Sequence, residues 1–497
     1  MKFSKIFSGQ ASAHSVHIIE IETDISRGLH AFSIVGLPDK GVGEARDRIS
    51  SAIKNSGFSS PKTNNHKIVI SLTPSSIRKV GSSFDMAMAL GYLQAVGSIV
   101  FNPTEKLFLG ELALDGTVRP IVGCLPVIRL AKDKGFREVY VPKDNILEAS
   151  LIEGVNLIGV SHLLELVNHL QGAQNISQAS RQKQIINRDA EKGHVDFADI
   201  LGHNRAKRCL EIAAVGKHHF ILWGEPGAGK SILTKAFVGI LPDLSKVQSI
   251  ELSSLYSRHS IPTNTQSGTP PLRRPHHTSS YSTMLGNAQG KIGEISLAHN
   301  GILLLDELPE FDRRVLEGLR EPLDQKTITT DSSRLITNPC DFILCATMNP
   351  CPCGYHQSSR KKCRCPNQNI RKYVGKISGP LIDRIDMVIK LTAQDIVFEE
   401  GKEINKTQTE SSEEVRRRIA AALTFAEKRL LKPSSDELIE QKARIALSQA
   451  TQKYALSYRA YKKIISIARS IADLDQSESI KLPHVSEAID YHQTDRW

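Results

Sequence analysis

Residues 217–236 read KHHFILWGEPGAGKSILTKA, and within them Gly224–Ser231 fit the spacing GxxxxGKS. Phe220–Trp223 place an apolar run ahead of the glycines, so the order is strand, glycine-rich turn, helix start. A triphosphate needs many donors at once. Glu225 and Pro226 open the turn, and Gly227, Ala228 and Gly229 let successive backbone N–H groups point inward while the following helix offers its positive end. Lys230 would then reach the β and γ phosphates, and Ser231 would ligate Mg²⁺. An incidental glycine-rich turn is the plain alternative, and the strand before with the helix after favours ATP with Mg²⁺.

Working outward, the chain of 497 residues is too long for one ordinary domain and suggests roughly three. Lys and Arg total 64 against 53 Asp and Glu, a net charge of +11 that leans toward an acidic polymer as partner. The N-terminus lacks a continuous apolar h-region and no segment offers about 18 uninterrupted apolar residues, so we expect a cytoplasmic protein with no membrane contact. Eight cysteines in so long a chain are not a disulfide framework.

Residues 14–36 and 67–72 read as strands, while 43–56 and 84–96 (FDMAMALGYLQAV) read as helices. KLFLGELALDGTVRPI predicts a hairpin turning at Asp115-Gly116, followed by a helix to Lys134, a strand over 138–141 and a last helix over 161–171. This is an α/β domain spanning residues 1–172, about 170 in all. Residues 173–195 are polar without an apolar period and read as a linker.

Past the P-loop, GILLLDELPEF (301–311) is a buried strand ending in Asp306 and Glu307. Asp306 can hold Mg²⁺ through water, and Glu307 can activate the attacking water. An acidic turn after a core strand is the alternative. Residues 249–290, with PLRRPHHTSSYSTMLG inside them, are turn-rich and too irregular for a long helix. CPCGYHQSSRKKCRC then supplies Cys351, Cys353, Cys363 and Cys365, two C-x-C pairs that can give four thiolates to one Zn²⁺. Pairwise disulfides are the alternative, and Cys124, Cys209, Cys340 and Cys345 read as packed core thiols. Arg360, Lys361, Lys362 and Arg364 within that loop would contact phosphates, or would simply be solvated. After residue 400 the chain turns helical, with a capping box at Ser411–Glu414 and helices over 436–454, 458–474 and 484–492.

The segments IVISLTPSSIRKVGSSFDMAMALGYL, LGELALDGTVRPIVGCLPVIRLAKDKGFREVYVP and SLAHNGILLLDELPEF resemble the ComM (YifB) group of magnesium-chelatase-like AAA+ proteins, and the resemblance covers nearly the whole chain. It implies a Lon-protease-like domain at 1–172, an AAA+ core at 196–400 and a helical lid at 401–497. Lon uses a serine activated by a lysine. Leu125 stands at the position matching that lysine and GSSFD departs from the protease's serine motif, so no peptidase activity is expected; Ser82 and Ser83 read as turn or cap residues. In the core, His203 replaces the family's glutamine.

The resemblance also assigns Asn349 to sensing the γ phosphate, Arg384 to the arginine finger acting on a neighbour's nucleotide, and Arg459 to the second sensor on the lid. It places Arg273 and Arg274, and the hairpin carrying Arg334, near a central pore where they would touch DNA; a solvated surface loop is the alternative for the stretch with Arg273 and Arg274. The implied activity is an ATP-driven ring, a hexamer, acting as a DNA helicase that drives branch migration of recombining strands in natural transformation, on single-stranded or branched DNA. Its rivals are a chelatase-type motor acting on a protein or metal-insertion partner, an ATP-dependent protease, and a nucleotide-switched DNA-binding scaffold.

Overall fold

The computed structural model describes residues 3–12, 15–63, 65–177, 195–259, 261, 268–288, 290–331, 336–358, 360–392, 410–431 and 438–492. They form two compact units. The expected linker at 173–195 lies largely outside the described residues.

The first unit runs β1 (Phe3–Ala11), β2 (Val16–Arg27), β3 (Ala31–Val35), α1 (Lys40–Asn55), β4 (His66–Thr73) and α2 (Asp85–Val96). It continues through β5 (Lys106–Phe108), the hairpin β6 (Glu111–Leu112) and β7 (Val118–Arg119), α3 (Cys124–Asp133), β8 (Glu138–Pro142), α4 (Ile146–Ala149), β9 (Asn156–Val160) and α5 (Leu163–Leu170). Seven strands make one mixed sheet in the order β3-β4-β2-β1-β5-β8-β9. Alternation fixes the register, since Ile19, Ile21 and Ile25 of β2 share one buried face. Helix α2 is buried from Asp85 to Ala95, as its all-round apolar sequence requires.

The second unit starts with α6 (Asn204–Gly216), β10 (Phe220–Gly224) and α7 (Lys230–Ile240). The next helix, α8 (Lys246–Ser257), departs from it and groups with the first unit. There Ser257 O accepts from Gly123 N at 3.0 Å, Lys246 pairs with Glu153 at 2.5 Å, and Ile250 joins the apolar cluster of α3 and β8. The stretch expected to be too irregular for a long helix thus begins with one of 12 residues.

After α8 the second unit resumes with β11 (Leu272–Arg273), α9 (Tyr281–Leu285), α10 (Glu294–Leu297), β12 (Ile302–Leu305), α11 (Arg313–Gly318) and α12 (Arg320–Gln325). The hairpin β13 (Thr327–Asp331) and β14 (Ile336–Pro339), then β15 (Ile343–Met348), α13 (Asn367–Val374), α14 (Gly379–Ile382) and β16 (Met387–Leu391) follow. The chain ends in α15 (Ser412–Leu430), α16 (Gln441–Lys453), α17 (Tyr458–Leu474) and α18 (Leu482–His492).

Five strands form a parallel sheet in the order β11-β12-β15-β10-β16. Helices cover both faces, as an all-parallel sheet requires. Helices α6, α7 and α15–α18 share one continuous core with Phe220, Leu222, Leu304 and Ile389, while Ile221, Leu303, Leu305 and Leu344 pack into the other. The four C-terminal helices therefore belong to the same compact unit as the sheet. The Ser411 capping box is present: its hydroxyl accepts from Glu414 N at 3.3 Å and the Glu414 carboxylate accepts from Ser411 N at 2.8 Å. No helix among the described residues is long and apolar enough to cross a membrane.

Candidate active site

β10, β12 and β15 are adjacent parallel strands, and each ends in a residue set singled out from sequence. This is the edge of a doubly wound sheet where ligands gather. β10 runs into Gly224, whose α-carbon lies so near β16 that a Cβ would stand 2.4 Å from Leu391 O. Gly227 and Gly229 take left-handed φ values of 79° and 83°. A Cβ on Gly229 would also meet His203 Nε2 at 2.9 Å, so the residue replacing the expected glutamine packs directly under the loop. Helix α7 begins at Lys230, and Ser231 is exposed in its first turn.

Lys230 Nζ donates to Gly224 O at 2.5 Å, Glu225 O at 3.0 Å and Asn349 Oδ1 at 2.9 Å. The P-loop lysine and the residue after β15 are thus in direct contact. Burial lowers the Lys230 amine to about 8, with the Asp306, Glu307 and Glu225 charges opposing that shift.

β12 is wholly buried and delivers Asp306 half-buried and Glu307 exposed. Glu307 has φ 57°, a left-handed conformation that costs a non-glycine residue on the order of 1–3 kcal/mol. Its N–H donates to Thr347 Oγ1 at 3.1 Å, and the Thr347 hydroxyl donates to Asp306 Oδ1 at 2.5 Å. One buried threonine therefore fixes both carboxylate residues, although nothing in its sequence context marks it.

Arg274, expected at DNA, pairs with Asp306 Oδ2 at 2.7 Å. Arg273 is likewise committed, with Nε and a terminal nitrogen on Glu294 at 2.6 and 2.8 Å. A bidentate guanidinium on a half-buried carboxylate is held in place. Arg334 lies outside the described residues.

Arg384 and Arg459 meet on one side chain that the sequence did not mark. Arg384 Nε donates to Asp324 Oδ2 at 2.9 Å and its terminal nitrogen to Pro380 O at 2.6 Å, while Arg459, in the first turn of α17, donates to Asp324 Oδ1. Burial pushes the Asp324 carboxyl up, but the hydrogen bonds from both arginines outweigh it and hold the group below its usual range. Arg469 is buried against Asp473, its Nε at 3.1 Å, and serves the packing of α17.

Three family models for magnesium chelatase match the chain: subunit ChlI of Mg-chelatase over 21–145, magnesium chelatase subunit ChlI over 196–397, which contains most of this site, and the ChlI C-terminal region over 409–492. Competence protein ComM of Haemophilus influenzae is 34% identical over 99% of this chain and 97% of its own length. YifB of Escherichia coli is 36% identical over 100% and 98%. The chain belongs to the ComM (YifB) family. It is a magnesium-chelatase-like AAA+ protein, and Lon protease 2 of Bacillus subtilis is 34% identical over 20% of the chain and 18% of its own length.

In this ComM-family chain the serine region of the first unit lacks the serine–lysine pairing that Lon uses, among the described residues. Leu125 is fully buried, Ser82 Oγ donates to Glu111, and Ser83 Oγ donates to Gly9 O at 3.1 Å. Among the described residues neither hydroxyl meets a lysine or histidine. Nor does either cap α2, whose N-cap is Phe84; Ser82 acts as a turn residue, its carbonyl accepting from Asp85 N at 3.2 Å.

The cysteine loop follows β15. Cys351, Cys353, Cys363 and Cys365 bring their sulfurs within 4.8 Å of one another. The spacings Cys351–Cys353, Cys351–Cys363 and Cys353–Cys363 are 3.3, 3.7 and 3.6 Å. A disulfide needs about 2.05 Å. Four thiolates about 2.3 Å from a tetrahedral Zn²⁺ stand roughly 3.8 Å apart, so the donor set fits that ion. Backbone hydrogen bonds at Arg364 and Tyr355 lower the Cys353 thiol to about 6, which favours the thiolate. Cys124, Cys209, Cys340 and Cys345 are buried, and burial pushes their thiols up. Of the basic residues in the loop, Lys361 lies 4.9 Å over the Tyr355 ring, and Lys362 and Arg364 are exposed without an acidic partner among the described residues.

Proposed function

We propose that this protein is an ATP-hydrolysing motor that assembles as a ring, a hexamer, and moves single-stranded or branched DNA, promoting branch migration as a helicase during natural transformation. The observation that carries the ATPase half is that two bonded sets, Lys230 with Asn349 and Thr347 with both Asp306 and Glu307, stand at the ends of three adjacent strands. Backbone N–H groups of Gly227–Gly229 and the Lys230 amine hold the phosphates. Ser231 and Asp306 would hold Mg²⁺, which supplies neutralisation of phosphate charge. Glu307 accepts the proton of the attacking water, and Asn349 orients that water beside the γ phosphate. Arg384 of one subunit serves its neighbour's nucleotide, with Arg459 beside it.

Support for DNA is the relative's name as a competence protein, the charge of +11, and the exposed Lys362 and Arg364, with Lys361 and Arg360, on the cysteine loop. Zn²⁺ on the four cysteines would stiffen that contact. The first unit is a scaffold without peptidase chemistry. ATP hydrolysis measured alone, with single-stranded DNA and with a four-way junction, alongside strand displacement, decides the matter. Stimulation and displacement are expected; hydrolysis indifferent to DNA together with no displacement would leave the chelatase-type motor.

Two further outcomes follow at this site. Lys230→Ala should weaken ATP binding roughly 10- to 100-fold, the scale of charged hydrogen bonds worth about 1.5–3 kcal/mol. Because the amine loses its proton above about 8 in the free protein and must regain it against phosphate, wild-type affinity should fall as pH rises beyond 8, by about tenfold per unit. A titration with a fluorescent ATP analogue from pH 6.5 to 9.5 reads both, and Lys230→Ala should flatten the profile. Metal analysis of the purified protein should give about one zinc per chain.

A further inference from the structure

The residues between Cys353 and Cys363 touch the P-loop at three points. Gly354 takes a left-handed φ of 84° and approaches Pro226 so closely that a Cβ would stand 2.5 Å from Pro226 Cγ. Ser358 Oγ donates to Glu225 Oε2, and Arg360 Nε stands 3.8 Å from Oε1 of the same carboxylate. Glu225 is only 7% exposed, and both of its carboxylate oxygens face this loop. Behind them Lys390 of β16 donates to Gln357 Oε1 at 2.7 Å and lies 4.8 Å over the Trp223 ring, tying the loop to β10.

Glu225 and Pro226 are the second and third residues of the P-loop, and Glu225 O receives the Lys230 amine at 3.0 Å. A contact that shifts Glu225 therefore shifts the phosphate-binding lysine. The loop making that contact has little apolar content, and the four cysteines draw its two ends together. An open loop of this length has many conformations to lose before Ser358 can reach Glu225.

We propose that the loop closed by the four cysteines is a brace for the P-loop, in which Ser358 and Gly354 position Glu225 and Pro226, so that metal occupancy of the cluster sets nucleotide affinity. The inference rests on the zinc reading above. Ser358 is a positioning residue acting through Glu225. Binding of ATP and holding of zinc are linked in one chain, and each favours the other.

The test measures affinity for a fluorescent ATP analogue and zinc content together on the full-length protein. Three forms are compared with wild type: Ser358→Ala, Cys363→Ser, and wild type stripped with a mercurial and a chelator. Ser358→Ala is expected to keep its zinc and bind the analogue about tenfold more weakly, with Ser358→Thr restoring most of the loss. Stripped protein is expected to show a similar loss that returns when zinc alone is added back, a reversibility that general unfolding of Cys363→Ser would lack. Wild type with zinc whose affinity is unchanged in both Ser358→Ala and the stripped form overturns the brace. Wild type without zinc overturns the metal reading itself, and is read from the metal analysis before any affinity is measured.

Discussion

Glu307→Gln is expected to bind ATP as tightly as wild type and to lose turnover by roughly 10²- to 10⁴-fold, the usual share of a positioned general base. The amide keeps the shape of the side chain and the Glu307 N–H···Thr347 bond, which is a main-chain contact, so the left-handed turn after β12 should survive. What disappears is the only function that requires a carboxylate there, acceptance of the water's proton. Equilibrium binding of a fluorescent analogue and single-turnover hydrolysis separate the two. Substantial turnover in the variant would move the base elsewhere. Asp306 is a poor substitute, since one oxygen already accepts from Thr347 and the other from Arg274.

The second large effect concerns Arg384. A finger arginine contributes about 10³- to 10⁵-fold to phosphoryl transfer. Arg384→Ala should therefore abolish turnover with nucleotide affinity nearly intact, because in its own chain the guanidinium engages Asp324 and Pro380, not the P-loop. Mixing gives the sharper measurement. A Glu307→Gln subunit has a sound finger and a dead site, whereas an Arg384→Ala subunit has the reverse. Co-assembled, neighbouring pairs rebuild working sites and hydrolysis should reappear. Mixtures as inactive as their parts would show that Arg384 does not act across subunits. Within the chain, the Asp324 carboxylate gathers Arg384 and Arg459 at one point.

Much of this architecture is written locally. The P-loop, the β12 carboxylates, the Ser411–Glu414 cap and α17 over Tyr458–Leu474 all lie where short-range patterns place them, because turn geometry, capping and helical periodicity are properties of neighbouring residues. β1 and β9 are not legible in the sequence, the first because polar and small residues of FSKIFSGQA interrupt its alternation. α8 was hidden for a related reason: its buried face includes Ser249, Ser253, Ser254 and Ser257, which carry no hydrophobic period.

Partnerships were the least legible part. The sequence displays Arg273 and Arg274 as free charge, but Glu294 and Asp306, 21 and 32 residues on, take them up. Asp324 is one of two acids in REPLDQ, and its two arginines come from 60 and 135 residues away. Thr347 and Ser358 act through contacts of the same tertiary kind.

Helix α8 has a consequence for how this protein can be divided. Its sequence lies between the P-loop helix and the carboxylate strand, yet its buried serines and its hydrogen bond to Gly123 belong to the first unit. A chain begun at residue 196 would carry that helix stripped of its partners, and one ended at residue 172 would lack the piece that covers α3. The two units are interleaved along the chain, so exchanging the N-terminal part among relatives by a single splice would replace only part of a folded body.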